Sequence, residues 1–274
     1  HNDSVTSVTI TPDSKYIVSG SYDNTIKIWD IKTGKCINTL KGHSRHVEIV
    51  KLTSNGKKIV SGSDDNTIMI WDIKTGECLS ILNVHADDTS SISITTDDKY
   101  IVLGSYDTIF RILDIKTGKC LNTFEGHNGS VTSVTITADG KYIVSGSFDN
   151  TIKIWDTKTG KCLNTFAGHN NFVNSIITSP DVKYIIVGCD DNKIKVFDFQ
   201  TGKCINTFEN HTGSVTSLAI TPDSRYIVSG SLDNTIKILD IKTAKCIYTI
   251  DDKSQISIDE NGYFISKDKN IDKY

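Results

Sequence analysis

The chain has 274 residues, with 33 acidic and 30 basic side chains and a formal net charge of -3. Its lysines are spread along the chain rather than gathered in one run, which argues against a nucleic-acid-binding stripe. No apolar stretch approaches the roughly 20 residues that cross a bilayer as a helix, so neither nucleic acid nor membrane is expected as a partner.

In chain order, Val5, Val8 and Ile10 mark a first short apolar strand. Thr11-Pro12-Asp13-Ser14 then supplies turn chemistry, because proline fixes φ and the Asp and Ser side chains bond nearby backbone. Lys15 to Ser19 is β-branched and aromatic and reads as a second strand. Tyr22-Asp23-Asn24 makes a tight turn, and Thr25 to Trp29 alternates inward and outward residues as a third strand. Lys32-Thr33-Gly34 turns into a fourth, Cys36 to Leu40. The unit is a four-stranded antiparallel meander.

That unit recurs. His1, His43, His85, His127, His169 and His211 keep a step of 42 residues. So do Cys36, Cys78, Cys120, Cys162, Cys204 and Cys246, and the strand-closing pairs Trp29-Asp30, Trp71-Asp72, Leu113-Asp114, Trp155-Asp156, Phe197-Asp198 and Leu239-Asp240. No unit has a sustained 3.6-residue period, so helices should be almost absent. Four-stranded units at a period near forty fit an all-β propeller, one closed domain over 1–274. The blades run about 1–42, 43–84, 85–126, 127–168, 169–210 and 211–252, with a partial one at 253–274.

The tail offers Ile256-Ser257-Ile258, a turn at Asn261-Gly262, Tyr263 to Ser266, and a last segment from Ile271 to Tyr274. These read as three strands of an incomplete seventh blade, so seven blades are expected, the alternative being six blades plus a tail. The chain begins at His1 where other copies read Gly-His, and its only methionine is Met69. It therefore reads as part of a longer protein whose true N-terminus is not seen.

Gly126-His127, Ser147-Phe148-Asp149 and Trp155-Asp156 together resemble the WD-repeat β-propeller family, and the likeness covers residues 1 to about 250. The resemblance implies a hydrogen-bonded structural tetrad in each blade. Its members would be His1, Ser19, Asp23 and Trp29; His43, Ser61, Asp65 and Trp71; and His127, Ser145, Asp149 and Trp155. Where the tryptophan is replaced by Leu113 or Phe197, the serine is replaced by Leu103 or Val187. That covariation is expected if the hydroxyl bonds the indole, since a buried hydroxyl without a partner costs about 1 to 3 kcal/mol. The sixth unit keeps Ser229 beside Leu239, so there the serine needs another partner. The resemblance also implies ring closure by a strand upstream of His1, a segment of the same chain completing the last blade.

Serine, histidine and aspartate in every unit do not suggest a hydrolase triad, because an enzyme does not need several equivalent copies of its nucleophile. No catalytic residue and no cofactor are expected. Equivalent histidines in separate blades do not converge on one ion, and there is no Cys-x-x-Cys pair, so no metal site is expected either. Six cysteines at one equivalent position should stand far beyond the roughly 7 Å Cα separation a disulfide permits. They read as free, mostly buried thiols in a reducing, intracellular, cytoplasmic setting. Ser257-x-Asp259-x-Asn261-Gly262 stands where other copies have an ordinary turn, and reads as a turn rather than a calcium loop.

Positions that differ between matching copies carry more functional information. The residue before the turn aspartate changes each time: Tyr22, Asp64, Tyr106, Phe148, Asp190, Leu232. A second variable strip follows each histidine, with Arg45, His46 and Glu48 in the second unit, Asp87 and Asp88 in the third, and Phe172 and Asn174 in the fifth. In propellers of this family both strips lie on one face, around the mouth of the central channel. The expected function is a non-catalytic platform that binds a peptide or protein segment there. Tyr22, Tyr106, Phe148 and Phe172 would be anchors, and Glu48, Asp64, Asp88 and Asp190 would favour a basic partner, with His46, Asn174 and Leu232 completing the face. Two alternatives are a regulatory or sensor domain controlling an attached ATPase or kinase, and a small-ligand or enzymatic propeller.

Overall fold

The computed structural model describes residues 1–83, 89–167 and 171–251, together with two short strands, Ile256–Ile258 and Phe264–Ser266. Among the described residues all regular structure is β. Each repeat forms an antiparallel sheet of four strands paired in chain order, and there are six such sheets. In the first they are Val5–Ile10, Tyr16–Ser21, Thr25–Asp30 and Cys36–Lys41.

The turns follow from named side chains. Thr11 donates its hydroxyl to Asp13 Oδ1 at 2.7 Å and accepts the Tyr16 amide at 3.0 Å, while Asp13 accepts the Lys15 amide at 3.1 Å. At the third turn Asp30 accepts both the amide and the hydroxyl of Thr33 at 2.7 Å. Those two bonds hold the Asp30 carboxyl below the usual carboxylate range. The aspartate that follows each strand-closing tryptophan is thus a turn cap. Where the third strand meets the fourth, the pairing slips by one residue at Ile28/Trp29, and the same bulge recurs in the other five blades.

One copy breaks its own turn chemistry. The last residue of the first turn is left-handed in every blade: Ser14, Gly56, Asp98, Gly140, Val182 and Ser224. A β-branched side chain at φ 56° is strained, at about 1 kcal/mol or more. Val182→Gly should therefore raise stability by about 1 kcal/mol, seen as a higher urea midpoint at unchanged slope. A midpoint that stays put or falls would show that the turn carries no such strain.

The core is divided among the gaps between blades. Val144, Ile152 and Phe166 of the fourth blade pack on Val173, Ile176, Ile185 and Phe197 of the fifth. Equivalent apolar clusters join first to second, second to third, third to fourth and fifth to sixth. The outer faces of the end blades differ. Val131, Val134 and Ile136 of the fourth blade are 0%, 4% and 8% exposed, whereas their counterparts Val5, Val8 and Ile10 are 52%, 58% and 55% exposed. A side-chain carbon at Gly20 would meet Val47 of the next blade at 2.8 Å, but at the equivalent Gly230 the nearest atom is Ser217 of its own blade at 3.8 Å. Among the described residues, no blade lies between the sixth and the first.

Two expectations are corrected here. The tail does not add a seventh blade: beyond the six, the described residues form only a two-stranded hairpin pairing Ile256 with Ser266 and Ile258 with Phe264. Strands of three residues offer few ladder bonds, and the tail carries no Gly-His or Trp-Asp to tie strands together. Six blades plus a tail is the arrangement. Asp259 to Tyr263, including the acidic turn, and the segment 271–274 lie outside the described residues. The cysteines are free but not mostly buried. Cys36, Cys78, Cys120, Cys162 and Cys204 are exposed, because they begin the outermost strand of each blade, and only Cys189, on a second strand, is buried.

Candidate interaction face

Each tetrad is a relay of hydrogen bonds across one blade. In the fourth, Trp155 Nε1 donates to Ser145 Oγ at 2.8 Å, Ser145 Oγ lies 2.7 Å from His127 Nε2, and His127 Nδ1 lies 2.9 Å from Asp149. Because the serine oxygen already accepts from the indole, its own proton is free to go to Nε2, which leaves the imidazole N–H on the Asp149 side. The second blade repeats this with Trp71, Ser61, His43 and Asp65 at 2.9, 2.7 and 2.9 Å. In the first, Trp29 to Ser19 is 2.8 Å, Ser19 to His1 2.7 Å, and His1 to Asp23 3.0 Å.

Burial pushes the pKa of His43 and of His127 down, and the neighbouring carboxylates only partly oppose it, so both rings favour the neutral form. For Asp65 and Asp149 burial raises the pKa, but bonds from Thr67 or Thr151, from the Ser44 or Asn128 amide and from the histidine outweigh it and hold the carboxyls low. These aspartates also fix the turn: Thr25, Thr67, Thr151 and Thr235 each donate a hydroxyl at 2.6 Å. The threonine is a fifth member not singled out from the sequence, though it too recurs at the same step, Thr151 following Thr67 by two units. In the sixth blade Ser229 still lies 2.8 Å from His211 Nε2, and its hydroxyl is 3.5 Å from the Lys237 carbonyl. The histidine is the partner that serine keeps.

The tetrads bear on the face because the same turn presents the variable residues. The amides of Tyr22, Asp64, Phe148, Asp190 and Leu232 each bond the carbonyl of a residue from the strip after the histidine: Ser4, His46, Ser130, Phe172 and Ser214. The two variable strips are therefore tied together blade by blade. Tyr22, Glu48, Asp64, Tyr106 and Asn174 line the central channel.

The face falls into separate parts. On the first two blades the His46 ring meets Tyr22 edge-on at 4.5 Å between centroids. The carboxylates of Glu48 and Asp64 stand close enough to raise the pKa of the Tyr22 phenol, Glu48 having the largest effect. Across the third to fifth blades, Tyr106 lies 6.3 Å from Phe148, and Phe148 lies 4.5 Å from Phe172. All three rings are exposed, and they form one aromatic strip. Asn174 is committed locally, donating to Asp190 at 2.6 Å and to the Val215 carbonyl at 3.3 Å. Leu232 is exposed on the sixth blade, apart from the aromatic strip. Asp87 and Asp88 lie outside the described residues. Among the described residues, no group of three or more His, Cys, Asp or Glu side chains is placed to hold a metal ion.

The family model for the WD domain, G-beta repeat, matches residues 1–30, 34–72, 76–114, 118–156, 160–198 and 202–240. Among curated proteins, a ribosome biogenesis protein BOP1 homolog from Drosophila grimshawi is 56% identical over 41 residues, which is 15% of this chain and 5% of that protein. The homolog from Drosophila melanogaster is 54% identical over 41 residues, with the same coverage. The chain therefore spans about a twentieth of the length of these relatives. Six successive matched repeats, each folded as one blade with its tryptophan-aspartate turn, place the chain in the WD-repeat family.

Proposed function

We propose that the chain is a protein-interaction platform that binds a peptide or protein segment on the face formed by the two variable strips. WD-repeat propellers are typically interaction scaffolds and generally non-catalytic. The observation that carries the reading is the juxtaposition on one face of an exposed aromatic strip, Tyr106, Phe148 and Phe172, with the acidic corner of Glu48 and Asp64. Aromatic rings supply large contact area at low entropic cost, and flanking carboxylates steer a partner by charge. The partner in this reading is a segment with an apolar side chain for the aromatic strip and Lys or Arg for the carboxylates. Asp190 and Asp88 belong to the same acidic set, and His46, Asn174 and Leu232 to its periphery.

A second partner in this reading acts in cis. Val5, Val8 and Ile10 of the first blade and Ile236 of the sixth are exposed, whereas Val131, Val134, Ile136 and Ile152 of the fourth blade are buried. A strand from upstream of His1 in the same polypeptide would help to cover them. The relatives are named for ribosome biogenesis, which fits work within a protein assembly inside the cell, in the nucleus as readily as in the cytoplasm.

The test is charge reversal. With peptides of matched length and aromatic content, the protein should prefer basic over acidic sequences. The triple change of Asp64, Asp88 and Asp190 to Lys should reduce that preference at least roughly tenfold while far-UV circular dichroism stays unchanged. A preference that survives the triple change intact would refute the acidic-face reading.

A further inference from the structure

The channel wall is built mostly from small neutral residues with a structural task. Thr6 donates to the Val47 carbonyl and Ser90 to the Val131 carbonyl at 2.5 Å, and Ser91 and Ser133 accept the amides of Val134 and Ile176 at 3.1 and 3.0 Å. These hydroxyls stitch the inner strands of the first, third and fourth blades to the next. One position breaks the pattern. Where the other units carry Thr9, Ser93, Thr135, Ile177 and Ala219, the second carries Lys51.

Lys51 opens into a channel of about 950 Å³, lined also by Ser93, Thr135 and Ile177. Among the described residues it is the only basic one in that lining. Some surface lysines sit against acids: Lys15 on Asp13 at 3.4 Å, Lys99 on Asp97 at 3.1 Å, Lys183 on Asp181 at 3.0 Å. Among the described residues Lys51 has no such partner, and the protein around it desolvates the ammonium enough to lower its pKa. The charged groups nearest along the lining are Glu48 and Asp64. Glu48 is three residues away on the same strand, about 10 Å by strand rise, towards the variable face. The channel is thus polarised, with carboxylates towards the variable face and one solvent-accessible cation, Lys51, near the other end of the inner strand Val47–Leu52.

We propose that Lys51 makes the channel a binding site for a compact oxyanion, a carboxylate or a phosphate. The ammonium supplies the charge, and hydroxyls of the same channel lining, such as Ser93 and Thr135, supply hydrogen bonds. The site is independent of what occupies the aromatic strip.

Protein labelled with ¹³C on lysine, titrated with inorganic phosphate or with acetate against chloride at constant ionic strength, tests this directly. The Lys51 resonance, assigned by its loss in Lys51→Thr, should titrate at lower pH than the other lysines. It should shift saturably with one or both anions, and its midpoint should move upward as the anion stabilises the charged form. Whichever of phosphate and acetate gives the tighter saturation identifies the source. Lys51→Thr introduces the residue of the first and fourth blades, and should weaken any anion-dependent rise in thermal midpoint at least roughly tenfold in apparent affinity. No saturable shift with either anion, or equal anion stabilisation in the variant, overturns the proposal.

Discussion

Val134→Asp is expected to destabilise the protein by at least about 4 kcal/mol, enough to abolish a cooperative unfolding transition at 37 °C. Val134 is 4% exposed and packs with Val102, Phe110 and Phe124 of the third blade, where a carboxylate would have no partner. The same substitution at Val8, the matching residue of the first blade, should change stability by no more than about 0.5 kcal/mol, because Val8 is 58% exposed. The contrast isolates context from chemistry, since strand position and residue type are identical. Urea midpoints of the two variants measure it, and comparable losses at both sites would mean that the outer face of the first blade is covered in solution.

A second large effect is expected at the tetrad. Ser145→Val removes the acceptor of the Trp155 indole and the partner of His127 Nε2, both buried. Two orphaned groups at about 1 to 3 kcal/mol each predict a loss of about 2 to 4 kcal/mol. Adding Trp155→Phe reproduces the pair that the fifth blade already uses, Val187 and Phe197, which are 0% and 3% exposed there. The double variant should be at least about 1 kcal/mol more stable than the sum of the single changes predicts. Strict additivity in the cycle would show that the indole and the hydroxyl do not depend on one another.

The architecture was legible because its causes are local. Turn chemistry at Thr11 to Ser14 and around Asp30, and strand alternation at Thr25 to Trp29, recur in every unit and need no tertiary information. Blade number was less legible, because it depends on how the tail pairs, and the short segment at Ile256 lacks the side chains that fix the other blades. The cysteines misled for a related reason: recurrence marked them as structural, but a structural position on an outermost strand is an exposed one. Comparison of the copies drew attention to Tyr22, Phe148 and Phe172. It gave no indication that Phe148 bridges the other two of the aromatic strip, Tyr106 and Phe172, since that contact runs between blades. Lys51 could have been found by the same comparison, being the one charged residue at its position in the unit.

The unshared faces of the first and sixth blades also determine how the fold distributes its stability. A closed ring would give every blade two neighbours and make the first rupture equally costly everywhere. Among the described residues the blades form a row with two ends, and each terminal blade packs on one neighbouring blade. Stability then behaves as a linear sum of units and nearest-neighbour terms, with opening starting at the ends and running inward. The third and fourth blades are the last to be reached. The six described blades are in this sense an array whose cooperativity is that of a zipper, and anything that bridged its two ends would convert that zipper into a hoop.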